Sequence, residues 1–216
     1  MDNYVIIIVA CLTLNLILVF TPLKVKSKNL RGAIKFFILI GVAKYISLLI
    51  FYTANSPRFL YDIRMIPVLS IISIFALGYI IICYIDKTSL NKIDIGFLMG
   101  IVIVGGIIVY NNSLGIRNSE LGYILIKNKE WIFIEAIYTI VISVMLIVKT
   151  LKVFVGTKIT KKRVSLIMVI ISFAGVCIEE GLSVLGREMF HFNILSELIF
   201  IVFIVFIIST KSKGQV

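Results

Sequence analysis

Seven stretches of apolar residues, separated by short polar loops, constrain the fold of this chain more than any other feature. A helix that crosses a bilayer core about 30 Å thick needs about 20 predominantly apolar residues, and its backbone polar groups must be bonded within the segment. The sequence therefore predicts an all-α, polytopic integral membrane protein with one transmembrane domain over residues 1–216. The predicted spans cover residues 4–20, 33–52, 65–85, 95–110, 131–148, 164–185 and 194–208.

The composition excludes a soluble catalytic domain. The 216 residues are 60% hydrophobic with a mean hydropathy of +1.11, so nearly every residue lies in a span or joins two spans. No basic residue precedes the first span, and the residues after it lack the small-residue pattern of a cleavage site. We therefore interpret the first span as retained rather than as a signal peptide.

The fourth span is short and rich in glycine, with Gly96, Gly100, Gly105 and Gly106. Glycine weakens a helix in water, but it lets two helices approach closely in lipid. We therefore keep this segment as a span. Its glycine face is the place where another membrane protein would dock if the chain is an assembly partner.

The distribution of lysine and arginine predicts the orientation, because short cytoplasmic loops of membrane proteins carry an excess of basic residues. The first, third and fifth loops and the tail are the more basic set, whereas acidic residues accompany the basic ones in the opposite loops. We expect an outside N-terminus, a cytoplasmic C-terminus and a cell-membrane location, and the heavy use of lysine, isoleucine and asparagine indicates a prokaryotic membrane. The more basic set comprises Lys24, Lys26, Lys28, Arg31, Lys87, Lys92, Lys149, Lys152, Lys158, Lys161, Lys162, Arg163, Lys211 and Lys213.

The formal net charge of +11 does not indicate a nucleic-acid partner. A protein that binds nucleic acid presents its basic side chains as a patch or stripe on a domain. Here the basic residues flank the spans, where they meet anionic headgroups and stabilise the orientation. The lipid bilayer is therefore the partner that the charge pattern predicts.

Besides Lys35, in the first turn of the second predicted span, five charged residues lie inside the predicted spans. A charged side chain costs about 2.5 to 3.5 kcal/mol at the centre of an inserted helix and needs a partner or water. All five fall in the outer half of the membrane under the predicted orientation, so we expect them to line one outward-facing cavity that binds a ligand, or to pair helices. The candidates are Lys44, Glu135, Glu179, Glu180 and Glu197, together with Tyr138, which shares a helix face with Glu135.

Several chemistries fit these residues. Glu180 and His191, the latter in the turn before the seventh span, are weak candidates for a divalent-metal site, since no His-x-x-x-His or Glu-x-x-His spacing is present. Carboxylates with Lys44 also suit a cationic or zwitterionic solute, or a proton-linked switch. The plain alternative is that Lys44 pairs with a glutamate only to join helices. Thr13 and Asn15 add a polar patch deeper in the first span.

The sequence contains no recognisable set of catalytic residues. Glu179 and Glu180 resemble the start of the Glu-Glu-x-x-x-Arg motif of membrane-embedded CAAX-type proteases, but Val184 stands where the arginine belongs. His191 is the only histidine, which leaves histidine-dependent nucleophilic catalysis almost nothing to work with. We therefore predict that the chain is not an enzyme and carries no cofactor.

The longest connection between spans covers residues 111–130. An apolar patch from Tyr123 to Ile126 lies among its glycine and charged residues. Apolar loop residues of this kind commonly rest on headgroups or helix ends, so we expect an irregular outer loop, with a functional lid as the alternative.

The number of spans, the outside N-terminus and the length resemble the seven-helix sensor regions at the N-termini of bacterial histidine kinases and related signalling proteins. The resemblance is one of topology, covers the whole chain and has no diagnostic motif. It implies a sensor or receptor module that binds a small ligand or cation. Because no output domain follows the last span here, it also implies a separate membrane or cytoplasmic signalling partner.

The alternative function is a small transporter, or a membrane subunit of one, coupled to protons or cations. Transporters commonly have polar or broken helices near the midplane. The inner halves of the spans read as almost wholly apolar, which argues against transport.

Overall fold

The structure is a computed structural model. Its described residues are all-α, as the sequence predicts, except for one small β-hairpin that the sequence does not predict. Seven long helices overlap the seven predicted spans, and the structure adds a short helix and the hairpin. The residues that it describes are 2–22, 27–54, 56–86, 90–112, 114–119, 122–127, 129–158, 160–185 and 194–212.

The helices are longer than the predicted spans, chiefly where lysines flank the apolar segments. The second begins at Lys28 rather than at residue 33, and the one that begins at Lys129 continues to Gly156 rather than ending at residue 148. Lysine and arginine favour helix and extend their charged ends to water, so the helix continues past the apolar stretch. The elements are α1 (Asp2–Phe20), α2 (Lys28–Thr53), α3 (Pro57–Ile63), α4 (Ile66–Asp86), α5 (Lys92–Asn111), β1 (Leu114–Ser119), β2 (Gly122–Lys127), α6 (Lys129–Gly156), α7 (Thr160–Val184) and α8 (Ile194–Ser212).

Polar side chains cap α2, α3 and α5 at their first turn. The Leu30 backbone N–H donates to the Ser27 hydroxyl at 3.4 Å where α2 begins. At the start of α5, the Asp94 N–H donates to the Asn91 side chain at 2.8 Å, and the Asn91 N–H donates to the Asp94 carboxylate at 3.1 Å. This reciprocal capping box satisfies two backbone donors that the first turn leaves free. It also holds the Asp94 carboxylate in place inside the bundle.

α4 is the central helix. Every residue from Ile71 to Ile85 is buried, and α4 contacts α2, α5, α6 and α7. Phe75 of α4 stacks on Phe173 of α7, whose ring centroid lies 5.5 Å from that of Phe200 in α8. Since aromatic pairs of this kind contribute beyond their buried area, the three rings link α4, α7 and α8 at the centre of the bundle.

Five helical stretches are long and apolar enough to cross a membrane. The apolar parts of α1 and α8 within the described residues, Tyr4–Phe20 and Ile194–Ile207, are shorter. Many large apolar side chains on the outward helix faces are exposed, a distribution that is unusual for a protein in water. The five stretches are Lys28–Thr53, Pro57–Asp86, Lys92–Asn111, Glu130–Gly156 and Lys162–Val184.

β1 and β2 form an antiparallel hairpin where the sequence predicts an irregular loop. Leu114 pairs with Lys127 at one end of the hairpin, and Ser119 pairs with Gly122 at the other. The Arg64 guanidinium, just before α4, donates to the Leu114 carbonyl at 3.1 Å, and β2 packs against α2. Strand pairing satisfies the backbone polar groups that an irregular loop would leave to water, so the hairpin is a stable cover over the helices.

The two ends of the bundle differ in structure and charge. The hairpin end carries α3, β1 and β2, together with the N-terminus of α8. The basic end carries the loops that follow α1, α4 and α6, and the exposed residues there include Lys28, Lys92, Lys152 and Lys158. Neither name specifies a side of a membrane.

Two glycines allow close helix approach inside the bundle. A Cβ added at Gly78 would overlap the ring of Phe173. A Cβ added at Gly105 would lie 2.8 Å from both the Tyr138 hydroxyl oxygen and Ile72 Cγ1. Gly105 therefore belongs to the core, so the glycines of α5 do not form one continuous docking surface for another protein.

We predict that Gly78→Ala destabilises the protein by about 1 to 3 kcal/mol, the usual cost of overpacking. Phe173 cannot easily move aside, because it is fully buried and packs against two other rings. Gly106→Ala is the matched control, since a Cβ there meets nothing within 4 Å. Thermal unfolding of the detergent-purified variants measures the difference. Equal melting temperatures for the two variants would contradict this packing.

Candidate functional site

Lys44 is fully buried and pairs with Glu197. Lys44 Nζ, on α2, lies 2.7 Å from Glu197 Oε2 in the first turn of α8. The Tyr45 hydroxyl donates to the same carboxylate oxygen at 2.5 Å. The Cys11 thiol of α1 is hydrogen-bonded to Tyr45 in turn. One carboxylate oxygen therefore accepts two short hydrogen bonds, one of them from a charged donor, and such bonds are about twice as strong as neutral ones.

The pair is the main link between α2 and α8. α8 packs chiefly on α1 and α7, whereas α2 packs chiefly on α1 and α4. An ammonium or carboxylate that is buried alone costs several kcal/mol, so each of the two groups stabilises the other. The position of α8 relative to α2 is therefore sensitive to the charge on Lys44 and on Glu197.

A small cavity lies beside the Lys44–Glu197 pair. Its volume is about 30 Å³, and its lining comes from α1, α2, α4 and α8. A water molecule needs roughly 10 to 15 Å³ of such space, so the cavity holds about two waters or one small cation. Glu197, Tyr45, Asn15 and Ser73 supply its polar side chains, and the rest of the lining is apolar.

Asn15 brings a carboxamide to the cavity from α1. The residue is 3% exposed, and its Nδ2 donates to the Cys11 carbonyl at 2.9 Å. A Cβ added at Gly41 would lie 3.2 Å from Asn15 Oδ1, so glycine at this position gives the amide oxygen room. With the donor side of the amide committed to the backbone, the oxygen is the side of Asn15 that is oriented toward α2. Amide oxygens and carboxylates are ordinary ligands for hard cations.

Glu179 and Glu180 are adjacent on α7 but have different surroundings. The Ser196 backbone N–H, in the first turn of α8, donates to Glu179 Oε2 at 3.4 Å. The other oxygen of Glu179 has no hydrogen-bond partner among the described residues, and the carboxylate lies within electrostatic range of Lys44 and Glu197. A carboxylate beside a helix N-terminus is favourable, so Glu179 helps to hold α8 against α7. Glu180 is 4% exposed.

Glu135 belongs to a second group, at the hairpin end. Lys127 Nζ of β2 lies 2.5 Å from one of its carboxylate oxygens, and Asn112 donates to the other at 3.2 Å. Tyr138, which shares a face with Glu135 in the sequence, instead donates to the Ile101 carbonyl at 2.9 Å. Glu135 is 1% exposed, so this ion pair ties the hairpin to α6.

The charged residues thus divide between groups instead of lining one cavity as the sequence predicts. Lys44, Glu179 and Glu197 gather near the contact of α2, α7 and α8. Glu135 pairs with the hairpin, and only Glu197 of the five lines the cavity. Position along a helix indicates the depth of a side chain, but the direction in which it points depends on how the helices pack.

His191 lies outside the described residues, so the metal site that pairs it with Glu180 stays a prediction. Among the residues that the structure does describe, no group of three or more His, Cys, Asp and Glu side chains is arranged to hold a metal ion. The cavity beside Glu197 is a different kind of site, because the Lys44 ammonium already neutralises its carboxylate.

A third ion pair, with a buried carboxylate and a partly exposed ammonium, lies toward the basic end, at two residues just outside the predicted spans. Lys149 Nζ lies 3.2 Å from Asp94 Oδ1, and the Tyr79 hydroxyl donates to the same oxygen at 2.8 Å. The ammonium also lies 3.6 Å from the Tyr79 ring centroid and 3.5 Å from Cys83 Sγ. The signal available in the sequence is Tyr79 and Cys83, one turn apart on an otherwise apolar helix.

No protein-family model matches the chain, and no curated protein matches it. Its function is therefore inferred from side chains and their geometry. Two features are candidates for function: the cavity beside the Lys44–Glu197 pair, and the Asp94–Lys149 pair. Both include deeply buried charges, which interact more strongly than charges in water do.

We predict that Lys44→Met destabilises the protein by about 3 to 5 kcal/mol, because it leaves the Glu197 carboxylate buried without its counter-charge. The double variant Lys44→Met/Glu197→Gln should recover most of that stability. Thermal unfolding of purified protein measures both, with Lys158→Met as the control because Lys158 is exposed. If the single variant melts like the native protein, the pair does not hold α2 and α8 together.

Proposed function

We propose that this chain is a multi-pass protein of a prokaryotic cell membrane, with its hairpin end outside and its basic end in the cytoplasm. Five helical stretches of sufficient length, together with exposed apolar faces, support the membrane location. The lysines of the basic end support the orientation, since short cytoplasmic loops carry the excess of basic residues. The N-terminus is then outside and the C-terminus cytoplasmic.

Within that membrane the chain acts as a sensor module, and its ligand is a proton or a small monovalent cation. The observation that carries this proposal is a cavity of about 30 Å³ where four helices meet, in contact with the buried Glu197 carboxylate. Sites for drug-sized ligands have volumes of roughly 300 to 1,000 Å³, so an amino acid or an organic amine does not fit. The oxygens of Asn15 and Ser73 suit a small, hard ion.

Ligand binding competes with Lys44 for the Glu197 carboxylate. A proton on Glu197 removes the charge that attracts the Lys44 ammonium, and a cation in the cavity repels that ammonium. Either event weakens the main link between α2 and α8. Both helices continue to the basic end, so a change in their separation reaches the surface that a membrane or cytoplasmic partner reads.

This mechanism differs from the plain alternative, in which the ion pair only joins two helices. A purely structural pair needs no cavity beside it, because an adjacent void forfeits packing contacts. A structural pair also predicts a stability that does not respond to one ion more than to another. The ion response of the protein therefore separates the two possibilities.

We predict that Na⁺ changes the melting temperature of the detergent-purified protein more than choline does at equal ionic strength. A specific ligand at 100 times its Kd stabilises the state that binds it by about 2.7 kcal/mol, which is readily measured. The response should disappear in Lys44→Met/Glu197→Gln and persist in Glu130→Gln, whose carboxylate is exposed. An identical response in all three proteins would contradict the proposal.

A transporter, or a membrane subunit of one, is the second candidate, and the Asp94–Lys149 pair favours it. Buried charges lie toward the basic end as well as toward the hairpin end, and the cavity adjoins only the Lys44–Glu197 pair. Alternating access needs a closure on each side of a central site, and two ion pairs at two levels would serve as closures. Flux of Na⁺ or protons into proteoliposomes that is lost in Glu197→Gln would support the transporter and overturn the sensor. Ion-dependent stability without flux supports the sensor.

A further inference from the structure

α5 and α6 leave an apolar groove between them on the surface of the bundle. The groove has a volume of about 570 Å³, and side chains of both helices line it along several turns. Its one polar side chain, Tyr138, is already committed, because the hydroxyl donates to the Ile101 carbonyl at 2.9 Å. The occupant that this lining suits is therefore apolar and needs no hydrogen bond from the groove.

The α5 side of the groove is open because it lacks side chains. A Cβ added at Gly96 or at Gly100 would meet nothing within 4 Å, and both glycines line the groove. On the α6 side, Ile137, Val141 and Met145 are about half exposed. Since the intervening space is apolar and continuous along both helices, it fits an extended aliphatic chain.

On both helices, lysines follow the groove lining toward the basic end. One turn before Gly96, the same side of α5 carries Lys92, which is exposed. Two turns beyond Met145, the same side of α6 carries Lys152, also exposed. Between them lies Lys149, whose side chain is 28% exposed and pairs with Asp94. The apolar groove suits the acyl chain of a phospholipid, and the lysines beyond it suit an anionic headgroup.

We infer that the α5–α6 groove holds one acyl chain of an anionic phospholipid from the leaflet at the basic end, with its phosphate between Lys92 and Lys152. Basic pockets between transmembrane helices are a recurring way to bind anionic headgroups. A transmembrane helix would also fill the apolar part of the groove, but an apolar helix would leave the lysines beyond its ends unpaired, whereas an anionic headgroup complements their charge. The inference is independent of the cavity at Glu197, which lies among α1, α2, α4 and α8.

The test uses the full chain in detergent with phosphatidylglycerol or phosphatidylcholine added, and it reads bound lipid by native mass spectrometry. We expect one retained phosphatidylglycerol and a weaker affinity for phosphatidylcholine. The double variant Lys92→Ser/Lys152→Ser should lose roughly 20- to 30-fold in affinity for phosphatidylglycerol, since each lysine near a headgroup contributes about fivefold. Lys28→Ser/Lys158→Ser is the control, because those lysines lie at the same end on other loops.

A second variant tests the groove itself. Gly100→Leu should fill it and abolish retention of the lipid while the protein stays folded, because a Cβ there meets nothing within 4 Å and the groove receives the rest of the side chain. Gly32→Leu, at another open glycine, should leave retention unchanged. Equal losses in the lysine variant and its control would overturn the inference in favour of general attraction to basic residues. A change of oligomeric state with Gly100→Leu, with lipid retention intact, would overturn it in favour of a protein interface.

Discussion

The charge pair between Lys44 and Glu197 is the constraint on which the arrangement of the helices depends. The Lys44 ammonium is fully buried, and one oxygen of the Glu197 carboxylate accepts hydrogen bonds from both this ammonium and the Tyr45 hydroxyl. The helices that carry Lys44 and Glu197 otherwise pack chiefly on different neighbours. In a low-dielectric interior neither charge is tolerable alone, so the second and the last helix must meet at this point. This contact joins the last helix to the second. The ring contacts of Phe75, Phe173 and Phe200 also link α8, through α7, to the central helix α4.

A second consequence is that the buried polar groups lie at different levels of one bundle. Lys127 and Glu135 fasten the hairpin, Lys44 and Glu197 fasten α8, and the Asp94–Lys149 pair joins α5 to α6 near the basic end. Of these pairs only Lys44–Glu197 adjoins the small cavity that Asn15 and Ser73 also line. A proton or an ion can approach a carboxylate that lies beside a void more easily than one in a close-packed pair. We therefore propose the ligand site at Glu197 and not at the other two pairs.

The seven long helices follow from the sequence, because a long apolar segment that bonds its own backbone groups has few alternatives to a helix. The importance of Lys44 and Glu197 follows too, since charges inside spans are costly. Their pairing does not, because 152 residues stand between them and only packing brings α2 and α8 together. The sequence around Asp94 is typical of a helix cap, and Lys149 is typical of a charge that flanks a span. Their contact with each other and with Tyr79 depends on how α4, α5 and α6 pack. The hairpin is missed because its apolar residues also suit a loop that rests on headgroups.

If the charge on Glu197 sets the separation of α2 and α8, a change of that charge alters the distance between the two helices. Spin labels at Phe36 of α2 and Val202 of α8, both exposed, are placed in a protein whose three cysteines are replaced by alanine. Their distance distribution is then measured in lipid nanodiscs by pulsed electron paramagnetic resonance. We expect one short distance without Na⁺, and a longer or broader distribution with Na⁺ or in Lys44→Met. A distribution that is the same in all these conditions would contradict this expectation.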